Sequence, residues 1–229
     1  MKSSLLAIAL VFTACGGTER SRVSYPVTVS GGGAMVTTDS GWTVTLTRAT
    51  AHLDAVRFFE GKVVLAKNVK PQWWRSLLVS TAYAHPGHYV PGEALGEFVG
   101  PLDADLLTTT PLAWGTADGL TGEQGSLQLT FATAGLEVAG TATKDTLSVP
   151  FTASFTPAYA IEGVRSEHVV GKNELGVDVR IDLTHIFSRV DFAQVGSSAS
   201  PLDPMSPAFN GFGRGVIDSS AYVVTWKEN

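Results

Sequence analysis

The chain has 229 residues, with 21 acidic and 16 basic side chains, a formal net charge of −5 and a single cysteine. That length allows one large domain or two small ones to bury a core without disulfides. The acidic balance, with no cluster of Lys and Arg, excludes nucleic acid as an expected partner, because phosphate binding needs concentrated positive charge.

Lys2 precedes an apolar run from Leu5 to Phe12, which meets Thr13, Ala14 and Cys15 ahead of a mixture of Gly, Thr, Ser and Arg. The run is far shorter than the roughly 20 residues needed to cross a bilayer, so it reads as a secretion signal and not as a retained membrane helix. Phe12-Thr13-Ala14-Cys15 resembles the lipobox of bacterial lipoproteins, with Phe12 where that family usually has Leu. The resemblance implies that residues 1–14 are a removed signal peptide and that Cys15 is diacylated as the first mature residue. Two acyl chains with an acylated terminus suffice for stable anchoring, where one chain is marginal. A buried or chance cysteine is the competing reading, and it leaves an unpaired thiol in an exported chain. Gly16 follows the cysteine, and the absence of Asp there resembles the pattern sorted to the outer membrane. The expected location is therefore the cell envelope, lipid-anchored at the outer membrane on its periplasmic or surface face. With Cys15 taken by lipid, the body can form neither a disulfide nor a thiolate metal site. Cysteine-ligated zinc, iron–sulfur clusters and blue copper are thereby removed.

Residues 15–33, rich in Ser, Gly and Thr, read as a tether from lipid to domain, with a candidate first strand over Val23 to Val29. The body is expected to occupy residues 34–229. From Gly41 the run Trp-Thr-Val-Thr-Leu-Thr alternates, placing Trp42, Val44 and Leu46 on one face of a strand. Further strands are predicted over Val56 to Ala66, with a turn at Glu60-Gly61-Lys62, and over Ser126 to Phe131, Leu136 to Ala142, Val149 to Phe155, Val177 to Phe187 and Val216 to Trp226. Clusters such as Ala139-Gly140, Lys144-Asp145 and the Pro-rich stretch Ser200 to Gly215 read as turns and loops. A helical turn is allowed at Ala104 to Leu107, and Asp182 to Val190 can become helical. Short strands separated by regular turns favour an all-β fold, a single antiparallel β-sandwich-like domain.

The most informative segment is Tyr83-Ala-His85-Pro-Gly-His88-Tyr89-Val-Pro-Gly92-Glu93. Pro86 fixes φ and Gly87 permits a reversal, so the loop can aim two imidazoles at one ion with little ordering cost. Neutral imidazole suits copper, zinc, nickel or iron. Two ligands do not complete a site, and the same residues also serve ordinary loop hydrogen bonds. His52 and His185 are the candidates to complete the sphere. Asp54 is expected to share a strand face with His52 and support it. His185 continues the apolar register of Val177, Val179, Ile181 and Leu183, which points it inward if the strand persists, the usual place of a satisfied core histidine. His168 lies in the polar run Arg165-Ser-Glu-His and is expected to be exposed. Met205 is a candidate thioether ligand for cuprous copper, although Pro204-Met-Ser-Pro reads as plain loop.

Trp73-Trp74 beside Arg75 suits a sugar, a membrane interface or simple packing. The stretch from Gly163 to Asn173 does not fit a phosphate loop, since its glycine spacing is too long and Asn173 stands where Ser or Thr is required. There is no Gly-x-Ser-x-Gly elbow, no His-Glu-x-x-His and no dinucleotide fingerprint, so no catalytic residues are assigned. Paired carboxylates among Glu93, Glu97, Asp182 and Asp191 could hydrolyse glycosides with no local motif.

Thr45-Leu46-Thr47 through Arg57-Phe58-Phe59, Gly122-Glu123 with Leu127 to Phe131, Val149-Pro150-Phe151, and Val179 to Phe187 together are similar to the layout of MbnP-like periplasmic copper-binding proteins. Members of that family commonly carry cysteines that this chain lacks. The resemblance implies a β-rich fold and a histidine-based copper role. The expectation is a lipid-anchored extracytoplasmic binding protein holding copper or zinc through His85 and His88, assisted by His52 or His185. Its partners are then the membrane, through Cys15, and the metal ion. The alternative is a structural or protein-interaction envelope lipoprotein in which the His-Pro-Gly-His loop is a rigid turn.

Overall fold

A computed structural model describes residues 20–61, 92–195 and 199–227. The expected all-β body is present. Ten strands belong to one sheet: β1 Arg22–Ser30, β2 Met35–Thr37, β3 Thr43–Glu60, β4 Ala94–Asp105, β5 Leu112–Leu120, β6 Gly122–Lys144, β7 Leu147–Phe155, β8 Ile161–Val170, β9 Val177–Ile181 and β10 Tyr222–Trp226. Their order is β10-β9-β1-β5-β4-β3-β6-β7, with β2 added to β3 and β8 to β6. The pairing is antiparallel except between β1 and β9, which run parallel. The antiparallel expectation therefore has one exception, made possible because a long excursion separates these two strands.

The segment read as a tether contributes β1 to the middle of the sheet. Its alternation buries Val23, Tyr25, Val27 and Val29, so the packed body begins by Arg22 and not near residue 34. The runs Ser126 to Phe131 and Leu136 to Ala142, read as two strands, are halves of one bent strand, β6. Its first half pairs with β8 and its second with β7, while β3 follows both. The bend falls at Gly135, where φ is +66° and a Cβ would lie 2.3 Å from the carbonyl oxygen of Phe155. Only glycine fits that position without displacing β7. Of the helical turn allowed at Ala104 to Leu107, Ala104 and Asp105 are strand instead, because Leu102 and Ala104 pair with Leu53 and Ala51, and Leu106 and Leu107 form a turn after it.

Among the described residues, two α-helices lie beside the sheet. β9 stops at Ile181 because Asp182 accepts the amides of Thr184 and His185 and caps α1, Leu183–Phe187. The Pro-rich stretch expected to be loop contains α2, Pro207–Ile217, capped by Ser206 with Pro207 in its first turn. The end of α2 takes in Val216, the expected start of the final strand, so that strand is confined to β10. Phe212 and Val216, one turn apart, are buried together with Phe187 and Ile186 of α1. Around them Phe151 and Phe192 pack with ring centroids 4.8 Å apart, and Trp42 lies 5.8 Å from Phe192.

At the other end of the core, the indole of Trp226 sits 5.2 Å from the ring of Tyr25 and 5.7 Å from that of Phe58. Its Nε1 donates to the Ser166 hydroxyl on β8 at 3.1 Å. The sheet thus curls until its β10 edge meets β8 through side chains, giving the sandwich-like closure.

Gly215 packs α2 on α1: a Cβ there would lie 2.1 Å from the Ile186 carbonyl oxygen. Helix propensity alone favours Ala over Gly by about 1 kcal/mol, but overpacking against backbone costs about 1–3 kcal/mol or more. We expect Gly215→Ala to be destabilising, lowering the midpoint of thermal unfolding by roughly 4–8 °C for a net loss of about 2 kcal/mol. A raised midpoint in a calorimetric scan would show that the helices separate freely.

Candidate functional site

His52 stands on the outer face of β3, because alternation turns Ala51 and Leu53 into the core. β4 sets Asp103 directly opposite, and His52 Nδ1 lies 2.6 Å from Asp103 Oδ1. An ionised carboxylate can only accept, so Nδ1 carries the proton and Nε2 of the neutral ring keeps its lone pair. That Nε2 is buried and has no hydrogen-bond partner among the described residues. Asp54 is exposed and sits where the register between β3 and β4 shifts, so the support expected from it comes from the cross-strand Asp103.

His185 lies on α1, not on a strand, and its side chain is 34% exposed instead of turned inward. Its Nε2 makes a 3.1 Å hydrogen bond with Asp218 Oδ2, just past the end of α2. Burial pushes the Asp218 carboxyl up, but hydrogen bonds from Ser220 and His185 outweigh it and hold the group below its ordinary range. His52 and His185 therefore each pair with a separate carboxylate. Among the described residues, no group of three or more His, Cys, Asp or Glu is placed to hold a metal ion. Cys15, Trp73, Trp74, His85 and His88 lie outside the described residues. Met205 is 86% exposed.

His168, expected to be exposed, is held against the core. Its ring stacks on Trp226 at 4.5 Å and 9°, and its side chain is 27% exposed. Facing it across β6 and β8 is Gln124, fully buried, whose Nε2 donates to the Tyr25 hydroxyl at 3.2 Å. Desolvation is the main cause that raises the Tyr25 hydroxyl, the Gln124 hydrogen bond lowers it, and the Glu174 carboxylate raises it further, to about 12. Gln124, Asp103 and Asp218 carried no local signal, since each acquires its role from a partner dozens of residues away, and Glu174 meets His168 only because the chain turns back after β8.

The carboxylates considered for catalysis have local duties. Glu93 and Glu97 pair with Arg20 and Arg57. Asp182 caps α1, and Asp191 accepts the amide of Ala193 and Nε1 of Trp42. No described helix is long and apolar enough to cross a membrane.

No family model and no curated protein matches the chain. Among solved structures, MbnP from Methylosinus trichosporium is similar over 92% of this chain and 100% of that one, at 11% sequence identity and a TM-score of 0.44.

Tyr25 and Tyr222 are both buried, and desolvation raises both hydroxyls. Unfolded tyrosines ionise near pH 10, whereas these two stay neutral in the fold. Stability from this source is complete below about pH 10 and is lost as pH climbs toward the folded values. Denaturant midpoints should therefore hold up to about pH 10 and then fall, with Tyr25→Phe making the fall shallower. An alkaline slope that Tyr25→Phe leaves unchanged would assign the loss to other groups.

Proposed function

We propose that the protein is a lipid-anchored extracytoplasmic binding protein that holds copper or zinc through His85 and His88, with His52 or His185 adding a third imidazole. The observation that carries this reading is His52. Its Nδ1 is fixed by Asp103 while its buried Nε2 keeps a lone pair with no described partner. A carboxylate that sets the tautomer and direction of an imidazole is the usual companion of a histidine ligand. His185 is less prepared, because its Nε2 is already engaged by Asp218. A bridging ligand at His52 needs donors from beyond the described residues, and the His-Pro-Gly-His segment is the richest source of imidazole in the sequence. The anchor at Cys15 and the envelope location belong to the same proposal, supported by the lipobox resemblance.

Protons compete with metal for the imidazole lone pair, so uptake should fall on acidification. Titrating the mature protein with copper and with zinc should show His85→Ala/His88→Ala binding one equivalent fewer than wild type. Asp103→Asn, which unlocks the His52 tautomer, should weaken that equivalent by about 10–100-fold. An unchanged stoichiometry in the double variant defeats this assignment and favours the structural or protein-interaction lipoprotein.

A further inference from the structure

Three buried or half-buried polar side chains lie close to Trp226, and two of them carry an atom with no hydrogen-bond partner among the described residues. Glu174 is the first: its side chain is only 7% exposed, and Oε2 accepts the amide of Gly171 at 3.1 Å. A carboxylate this deep normally has a cation in hydrogen-bonded contact. The nearest candidate is His168, whose Nε2 lies 3.1 Å from Glu174 Oε2. That contact lacks hydrogen-bond alignment, and His168 Nε2 is buried with no hydrogen-bond partner among the described residues. The third is Gln124, fully buried directly across the strand pair from His168, with Oε1 likewise unpartnered among the described residues.

The separation is informative. Nitrogen and oxygen ligands bound to one zinc at about 2.0–2.2 Å, with an angle of roughly 90–110° between them, stand about 2.9–3.4 Å apart. The 3.1 Å approach of His168 Nε2 and Glu174 Oε2, close yet misaligned for a hydrogen bond, is the spacing of two ligands that share an ion. The His185 and Asp218 pair, at the same 3.1 Å, makes the contrast, because there the hydrogen bond is formed. The unsatisfied oxygen of Gln124 supplies a third donor of a kind outside the His, Cys, Asp and Glu set. A cavity of about 200 Å³ lined by Gln124 and His168 gives entry, and Glu123 and Glu167 on its wall draw cations toward it.

We infer that His168 Nε2, the Glu174 carboxylate and Gln124 Oε1 form a second binding site, for a divalent first-row metal ion such as zinc. The imidazole selects ions of that class over magnesium or calcium. The stack on Trp226 fixes the ring plane, so the direction of the lone pair is set before the ion arrives. This site is independent of His85, His88 and His52.

The test uses the full mature chain carrying His85→Ala/His88→Ala, which removes the site proposed above. Equilibrium dialysis against zinc should still give one equivalent per chain. His168→Ala or Glu174→Gln added to that background should abolish it. Glu174→Gln is close in shape to the native side chain, so it carries the test if loss of the His168 stack unfolds the protein, and circular dichroism reports the fold of each variant. No zinc uptake in the double-variant background overturns the inference, as does uptake that a folded Glu174→Gln chain retains. The proposal in the previous subsection stands or falls separately, on whether wild type exceeds the double variant.

Discussion

The contact on which the architecture turns is Trp226 against β8. β10 pairs with β9 on one side only, and β8 pairs with β6 only, so the two edges meet without a backbone ladder. The indole closes that gap in three ways: it donates to Ser166, stacks on His168, and presents its remaining surface to Tyr25 and Phe58. A buried aromatic of this size removes on the order of 150–250 Å² from water, and its N–H is satisfied at the same time. An edge closed by side chains also leaves room for polar groups between the strands, where a continuous ladder would exclude them. That is why Gln124, His168 and Glu174 collect there.

A second constraint comes from the length of β3 and β6. Strands of 18 and 23 residues cannot stay flat in a twisted sheet, and the register of their pairing shifts four times along its course. Each shift lets the pair coil around the core and re-aims the outward residues. His52 sits within the step at Ala51/Leu53, just before that at Leu53/Ala55. The local departure from regular pleating explains how a residue on the outer face comes to have a buried Nε2. At the far end of β3, Glu60 pairs with Gln124 and its amide donates to the carbonyl of Glu93, while Arg20 joins the carboxylates of Glu60 and Glu93 at 2.6 and 2.8 Å. The amino-terminal end of the described chain is thus fixed beside the same sheet end that carries the Trp226 closure.

Much of the architecture was legible because a strand with one buried face writes its period into the sequence. Val23 to Val29, Trp42 to Leu46 and Val149 to Phe155 alternate visibly, and each is strand over most of its length. The failures share a cause: a local signal overridden by a distant partner. The Pro-rich stretch read as loop holds Gly211, Gly213 and Gly215, yet in α2 these glycines allow close packing against the backbone at Arg189, the Phe155 ring and the backbone of α1 respectively. Ala139-Gly140, read as a turn, lies inside β6, and the bend of that strand falls at Gly135 instead. The candidate sites were legible only as a list of imidazoles. His52 was picked out, but its partner was taken to be Asp54, two residues away, when cross-strand pairing supplies Asp103, 51 residues away.

The described imidazoles show how one residue type is assigned different work by its surroundings. At His185 the carboxylate is aligned with Nε2, so the ring's outward nitrogen is spent on holding α1 to the end of α2. At His52 the carboxylate takes Nδ1 and the opposite nitrogen is left buried with its lone pair. At His168 neither description applies: a carboxylate is near Nε2 but off its axis, and the ring is fixed by stacking and not by hydrogen bonding. An unmade hydrogen bond to a buried group costs about 1–3 kcal/mol, so two unsatisfied nitrogens and one amide oxygen represent several kcal/mol that the fold alone does not recover. Such a deficit persists where something else contributes the missing interaction. A species that accepts electron pairs from the imidazole, the carboxylate and the amide oxygen of that cluster would recover it, which is the property of the metal ion inferred there.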